Sequence, residues 1–336
     1  MNYYTQDAQT TSDAQDRYNK KAGEVIKQLR KQKGLSQGEL VKSDNPSESI
    51  CSVKTLRRIE QGKTAPSIYE LKRILVGLGV SIAEFEALVD GQDMLVFQND
   101  FEEITELFFD KQFEEADKRL KLLKSQKYCD TNNPIIAQAL LLGDGLQKYF
   151  YNDKNGALET YYVALCITAP SVVQEIRELK CKSIVNNTFA LNEYRLINGI
   201  LGIIWMQGGG EQLNFAIEVY NITKKSILSS TVDSNTRCKL LPIIYYNLSE
   251  CLIKGGYFKE GLTIVEEGIK FCRRVNTFRI FGYLLYNRAR AQYWLGDKED
   301  AIKGFKHAYD TFISFNHIKL AERTKKSVAE KYQIYV

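Results

Sequence analysis

One position recurs along the last two thirds of this chain and dictates what it can fold into. The segments FDKQFEEADKRLKLL, YNDKNGALETYYVAL, GGGEQLNFAIEVYNIT, GGYFKEGLTIVEEGI and LGDKEDAIKGFKHAY each carry a small residue, at Ala116, Ala157, Ala216, Gly261 and Ala301, with spacings of 41, 59, 45 and 40. A large residue follows four positions later: Leu120, Tyr161, Tyr220, Val265 and Phe305. A small side chain lets two antiparallel helices approach closely, and a bulky one a turn on fills the gap between neighbouring hairpins. The pattern predicts helical hairpins stacked into an α-solenoid. The long interval leaves room for an additional helix around Ser171 to Asn187, and Pro134, Pro170 and Pro242 sit where a helix can begin.

These segments resemble the second helix of the tetratricopeptide repeat, with intervals stretched beyond its usual period of about 34 residues. The expected fold class is therefore all-α, with about five such repeats over 94–336.

The N-terminal part reads differently. Residues 1–16 are polar without an apolar period, which predicts a loose tail. Val25, Ile26 and Leu29 then mark an amphipathic helix from about Tyr18 to Gln32, ended by Gly34. Ser36 with Glu39, Ser67 with Glu70 and Ser81 with Glu84 have the spacing of capping boxes, in which serine oxygen and glutamate carboxylate each satisfy the other's backbone N–H. Ser52 caps a further helix that runs to Gln61 and stops at Gly62. Five short helices over 17–90, with a lengthened turn between the second and third, follow helix-turn-helix grammar. A linker is expected near Asp90 to Asp93.

Charge sets the two parts off. From Arg17 to Arg73 there are 14 Lys/Arg against 6 Asp/Glu, a net of +8, so with +5 for the whole chain the remainder sums to −3. A basic module precedes a mildly acidic body. The seven cysteines are scattered without a C-x-x-C pair, and only His307 and His317 are present, so a zinc site has almost no material; reduced, mostly buried thiols are expected. No metal and no cofactor is expected. The longest apolar run, Leu196 to Met206, is far short of the roughly 20 residues of a membrane span. No secretion signal opens the chain, so a cytoplasmic protein with no membrane partner is expected. Phosphate-loop, paired metal-ligand and nucleophile–histidine patterns are absent, which argues against an enzyme. Glu175 and Glu178 read as the wet face of a helix.

The helix Val53 to Gln61 puts Leu56 and Ile59 on one face and leaves Val53, Lys54, Arg57, Arg58 and Gln61 to point outward. On the residues alone this suits a solvated face as well as a nucleic-acid surface. The ordered string LRKQKGLSQGEL…SVKTLRRIEQGKTAPS…LKRILVGLGVSIAEF resembles the lambda-repressor-like (XRE-type) DNA-binding domain over about 65 residues. That resemblance implies phosphate contacts from Gln37, Ser52, Arg57 and Lys63, and base contacts in the major groove of double-stranded DNA from Val53, Lys54, Thr55 and Arg58. It also implies a structural pair between Arg30 and Glu60, and a homodimer on two half-sites. The inserted turn at 42–48 departs from the family pattern.

In the repeats, IIYYNLSECL and YLLYNRARAQYWL place Asn247 and Asn287 at the same repeat position, each after a tyrosine. A side-chain amide can clamp an extended peptide through its backbone, or it can tie one repeat to the next; both readings stand at this level. Glu250 and Arg290, three residues on, share those faces and could read charge or a terminal carboxylate, and Asn198 could join them. An XRE-type domain joined to stretched tetratricopeptide-like repeats resembles the peptide-pheromone receptors of Gram-positive bacteria, the Rap/Rgg/NprR/PlcR/PrgX group. The resemblance implies a quorum-sensing transcription regulator that dimerises and binds a short signalling peptide in the groove of its repeats. The alternative is a regulator whose repeats serve only dimerisation or a protein partner.

Overall fold

The computed structural model describes residues 4–42, 50–89, 93–229, 232 and 234–335. Among these there is helix and no strand. The chain divides into two compact units, Met1–Glu103 with Ser125–Cys129, and Ile104–Lys124 with Asp130–Val336. The division falls inside helix α6 (Asp93–Phe109), later than the linker expected near Asp90.

In the first unit, α1 (Tyr4–Gln32), α2 (Gln37–Val41), α3 (Val53–Glu60), α4 (Ile68–Leu78) and α5 (Ile82–Val89) close around Ile26, Leu40, Leu56, Ile59, Ile74, Leu78 and Phe85. Their starts obey the sequence: Ser36 and Ser67 form complete capping boxes with Glu39 and Glu70, and Ser81 exchanges the same two bonds with Glu84. Gly34, Gly62 and Gly79 take the left-handed conformation that ends helices without a Cβ penalty. The expected loose tail differs: helix runs back to Tyr4, there being no glycine or proline before Gly23 to stop its propagation. The inserted turn at 42–48 lies, beyond Lys42, outside the described residues.

In the second unit, α7 (Phe113–Lys124), α8 (Pro134–Phe150), α9 (Lys154–Cys166), α12 (Leu191–Gln207), α13 (Gly210–Leu228), α14 (Ser234–Lys254), α15 (Phe258–Arg274), α16 (Phe281–Leu295), α17 (Lys298–Ser314) and α18 (Ile318–Tyr332) pack each against the next. The extra helical material in the long interval is α10 (Pro170–Arg177) and α11 (Lys182–Asn186). The small residues Ala116, Ala157, Ala216 and Ala301 are fully buried, and so are the large ones that follow them. Tyr161 shows why the rule works. Its ring lies between α8 and α12, where a Cβ on Gly145 would stand 2.2 Å from it and one on Gly199 2.8 Å. Glycine on both flanking helices makes the slot.

Two expectations are corrected. Pro242 does not begin a helix but lies inside α14, and only Cys251 and Cys272 of the seven thiols are buried. Scattered single cysteines tolerate partial exposure because nothing in a reduced thiol compels burial. One contact links distant repeats: Arg279 donates to both carboxylate oxygens of Asp110 at 3.2 Å, joining the turn after α6 to the turn before α16.

The slot for Tyr161 predicts that Gly145→Ala lowers the urea stability by about 1 to 3 kcal/mol through overpacking. Gly202→Ala, on α12 but with open space at the Cβ, raises stability by up to about 1 kcal/mol through helix propensity. Equal midpoints for the two variants would contradict the packing account.

Candidate nucleic-acid interface and ligand groove

Helix α3 presents a cationic face because its apolar face is spent. Leu56 and Ile59 are fully buried, whereas Val53, Lys54, Arg57, Arg58 and Lys63 are exposed. At its start the Ser52 hydroxyl accepts the Thr55 N–H at 3.0 Å and bonds the Thr55 hydroxyl at 2.8 Å, so both side chains named by sequence are joined at one helix end.

The other end of α3 is clamped from three sides. Arg30 on α1 donates through Nε to Glu60 Oε1 at 2.6 Å and through Nη2 to Oε2 at 2.9 Å, and its Nη1 reaches the Leu35 carbonyl at 2.6 Å. Gln37 Nε2 donates to Glu60 Oε2 at 2.8 Å. One of the two Gln37 amide N–H donors is thereby engaged within the fold, and the half-buried side chain keeps the second for the expected phosphate contact. Burial raises the Glu60 carboxyl pKa, but the bonds from Arg30 and Gln37 outweigh burial and hold it below the ordinary carboxylate value. Gly23, which sequence reading passed over, is the third side: a Cβ there would stand 2.2 Å from the Ile59 carbonyl oxygen. The signal was a glycine inside an otherwise unbroken helical stretch.

In the repeats, the first helices α12, α14 and α16 pack side by side, and the predicted polar residues meet across them. Asn247 Nδ2 donates to Asn198 Oδ1 at 2.7 Å, and the Tyr220 hydroxyl donates to the Asn198 carbonyl at 3.3 Å. Arg290 donates to Glu250 and, at 3.0 Å, to Asn287 Oδ1. Asn287 is fully buried, and its amide donates to Ser249 Oγ at 3.0 Å. Asn287 is therefore corrected from a ligand contact to a tie between α14 and α16 that also orients Arg290. Burial pulls the Arg290 pKa down, but the Glu250 carboxylate overrides it and keeps the guanidinium charged. Half-buried Asn198, Asn247, Glu250 and Arg290 retain an open side. Beside them Tyr246 and Tyr283 stack obliquely with centroids 5.3 Å apart, and Tyr283 meets Phe312 edge-on at 5.2 Å. Ser249, Tyr283 and Phe312 were not named from sequence, whereas Tyr246 is the tyrosine that precedes Asn247.

Residues 22–88 match the family described as a helix-turn-helix domain. No curated protein sequence is significantly similar to the chain. Among solved structures, Bacillus thuringiensis PlcR in complex with the peptide PapR7 and DNA superposes with a TM-score of 0.66 at 19% identity, over 91% of this chain and 99% of that one. The Streptococcus dysgalactiae SHP pheromone receptor Rgg2 gives a TM-score of 0.55 at 15% identity, over 92% and 99% of the two chains. ComR from S. thermophilus in complex with DNA and its signalling peptide ComS gives 0.51 at 15%, over 91% and 98%. The chain thus has the fold of these regulators along nearly its whole length, helix-turn-helix first and helical repeats after.

Two outcomes are expected from these geometries. Because Glu60 has a depressed folded pKa, its stabilising effect is full above the unfolded carboxylate pKa and is lost as pH falls through the folded one. The urea-stability difference between wild type and Glu60→Gln accordingly shrinks below about pH 4, and a pH-independent difference would rule the pair out. Asn287→Ala, which removes a donor to Ser249 Oγ and an acceptor for Arg290, costs about 1 to 3 kcal/mol, and half-buried Asn247→Ala costs less.

Proposed function

We propose that this chain, built on the fold of regulators solved with DNA and peptide bound, is a cytoplasmic quorum-sensing transcription regulator. Its α3 lies in the major groove of promoter DNA, and a short signalling peptide in the repeat groove controls it. The observation that carries this reading is the pairing, in one chain, of two sites. One is a rigidly clamped helix with an exposed cationic face, and the other is a row of half-buried amides walled by tyrosines.

The chemistry of each part fits its assigned partner. Lys54, Arg57, Arg58 and Lys63 neutralise phosphates or grip base edges, and the N–H groups at the starts of α2 and α3 suit phosphate oxygens. In the groove, the Asn198–Asn247 pair can open toward a peptide backbone, offering a donor and an acceptor independent of the ligand's side chains. Arg290 reads a ligand carboxylate only in competition with Glu250. A helix-turn-helix monomer covers a short half-site, so the working form is a homodimer, and the peptide acts by binding its two arrangements unequally. Catalysis has no part in this role. Among the described residues no helix is long and apolar enough to cross a membrane.

Gel-shift titration on duplex fragments from upstream of the chain's own gene tests the DNA half. Retention is expected to weaken steeply with salt, and Lys63→Ala to weaken it by about 1 kcal/mol for all sequences alike. Calorimetric titration with short apolar peptides encoded beside the gene tests the other half: binding to wild type and none to Asn247→Ala is expected. Peptide-independent DNA affinity together with no calorimetric heat would leave the repeats as a dimerisation or partner-binding array.

A further inference from the structure

The exposed arginine of α3 has a fixed companion. Arg58 Nε donates to the Thr64 hydroxyl at 3.0 Å. Thr64 lies past the end of the helix, and it reaches Arg58 because the chain reverses at Gly62. The Gly62 N–H bonds the Ile59 carbonyl at 2.8 Å and the Lys63 N–H bonds the Arg58 carbonyl at 2.9 Å, the paired closure of a left-handed helix end. Gly62 is itself seated on α1, where a Cβ would stand 2.6 Å from the Lys20 Cα. The place of the Thr64 hydroxyl beside Arg58 is thus a property of the packed unit and not of a free loop. Threonine also has few χ1 choices, which narrows where its oxygen can be.

This bond has a chemical consequence. A guanidinium can grip two acceptors at once through its Nε edge or through its Nη1/Nη2 end. With Nε held by Thr64, the end alone is free. Of the base edges in the major groove, guanine presents two adjacent acceptors, O6 and N7, that match it.

We propose that Thr64 is a positioning residue for base recognition: it holds the Arg58 guanidinium end-on, so that the preferred duplex carries a guanine at the position Arg58 meets. This rests on the reading of α3 as a DNA reader and adds the specificity determinant behind it.

Selection from a random double-stranded pool, with the bound fraction sequenced, tests the proposal on the full chain. Wild type, Arg58→Ala, Thr64→Val and Thr64→Ser are compared at two salt concentrations. Arg58→Ala is expected to erase a guanine preference at one position. Thr64→Val keeps the shape and removes the acceptor, and it lowers that same preference about threefold to tenfold, the worth of one hydrogen bond. The rest of the motif and the salt dependence stay as in wild type, and Thr64→Ser keeps the preference. A Thr64→Val profile identical to wild type, or one weakened evenly at every position, overturns the proposal while leaving the DNA reading intact. If wild type enriches no motif at all, the DNA reading fails and takes the proposal with it.

Discussion

The buried contact between Arg30 and Glu60 is the constraint on which the first unit turns. An ion pair taken out of water gains little net stability, because desolvating both charges offsets their attraction. What it supplies is geometry. The carboxylate takes both nitrogens of a planar fork and a third bond from Gln37, so α1, the start of α2 and the end of α3 are referred to a single point. Gly23 and Gly62 let the backbones close to that distance. A helix held so firmly at one end and capped by Ser52 at the other can carry long, flexible cations on its outer face without losing its aim.

The repeats use a different economy of contacts. Hairpins dock through small residues facing large ones, a rule that requires no polar chemistry. The polar residues are therefore free for the row across α12, α14 and α16. There the bonds alternate between buried ties and accessible groups: Asn287 and Ser249 are sealed, while Asn198, Asn247, Glu250 and Arg290 are half-buried. Sealed ties fix the spacing of the helices, and in the proposed function the half-buried groups meet the ligand. A ligand that binds there must exchange its own hydrogen bonds for ones already made, which favours extended chains rich in backbone donors and acceptors over apolar molecules of equal size.

Much of this was legible in the residues. Capping serines, terminating glycines and the small-then-large repeat act through neighbours in sequence or through a period, so helices α2 to α5, their starts and the solenoid could be read directly. The Arg30–Glu60 pair came through family resemblance, since residues 30 apart have no local signature. The sequence pattern missed Gly145, Gly199 and Gly23, whose meaning lies only in the atoms a Cβ would strike.

Local chemistry and periodicity in the chain therefore settled that it is all-helical, where most helices begin and end, and that a basic module precedes a repeat array. Folding in three dimensions settled which polar groups are consumed and which remain. Asn247 and Asn287 are equivalent in the repeat, yet one is half-buried and the other sealed beneath Arg290. Gln37 and Arg58 look equally available as strings of letters, yet one bonds Glu60 inside the fold and the other is exposed and bonded to Thr64. The reason is that a hydrogen bond needs its partner within about 3 Å, and such partners come from distant parts of the chain that only packing brings together.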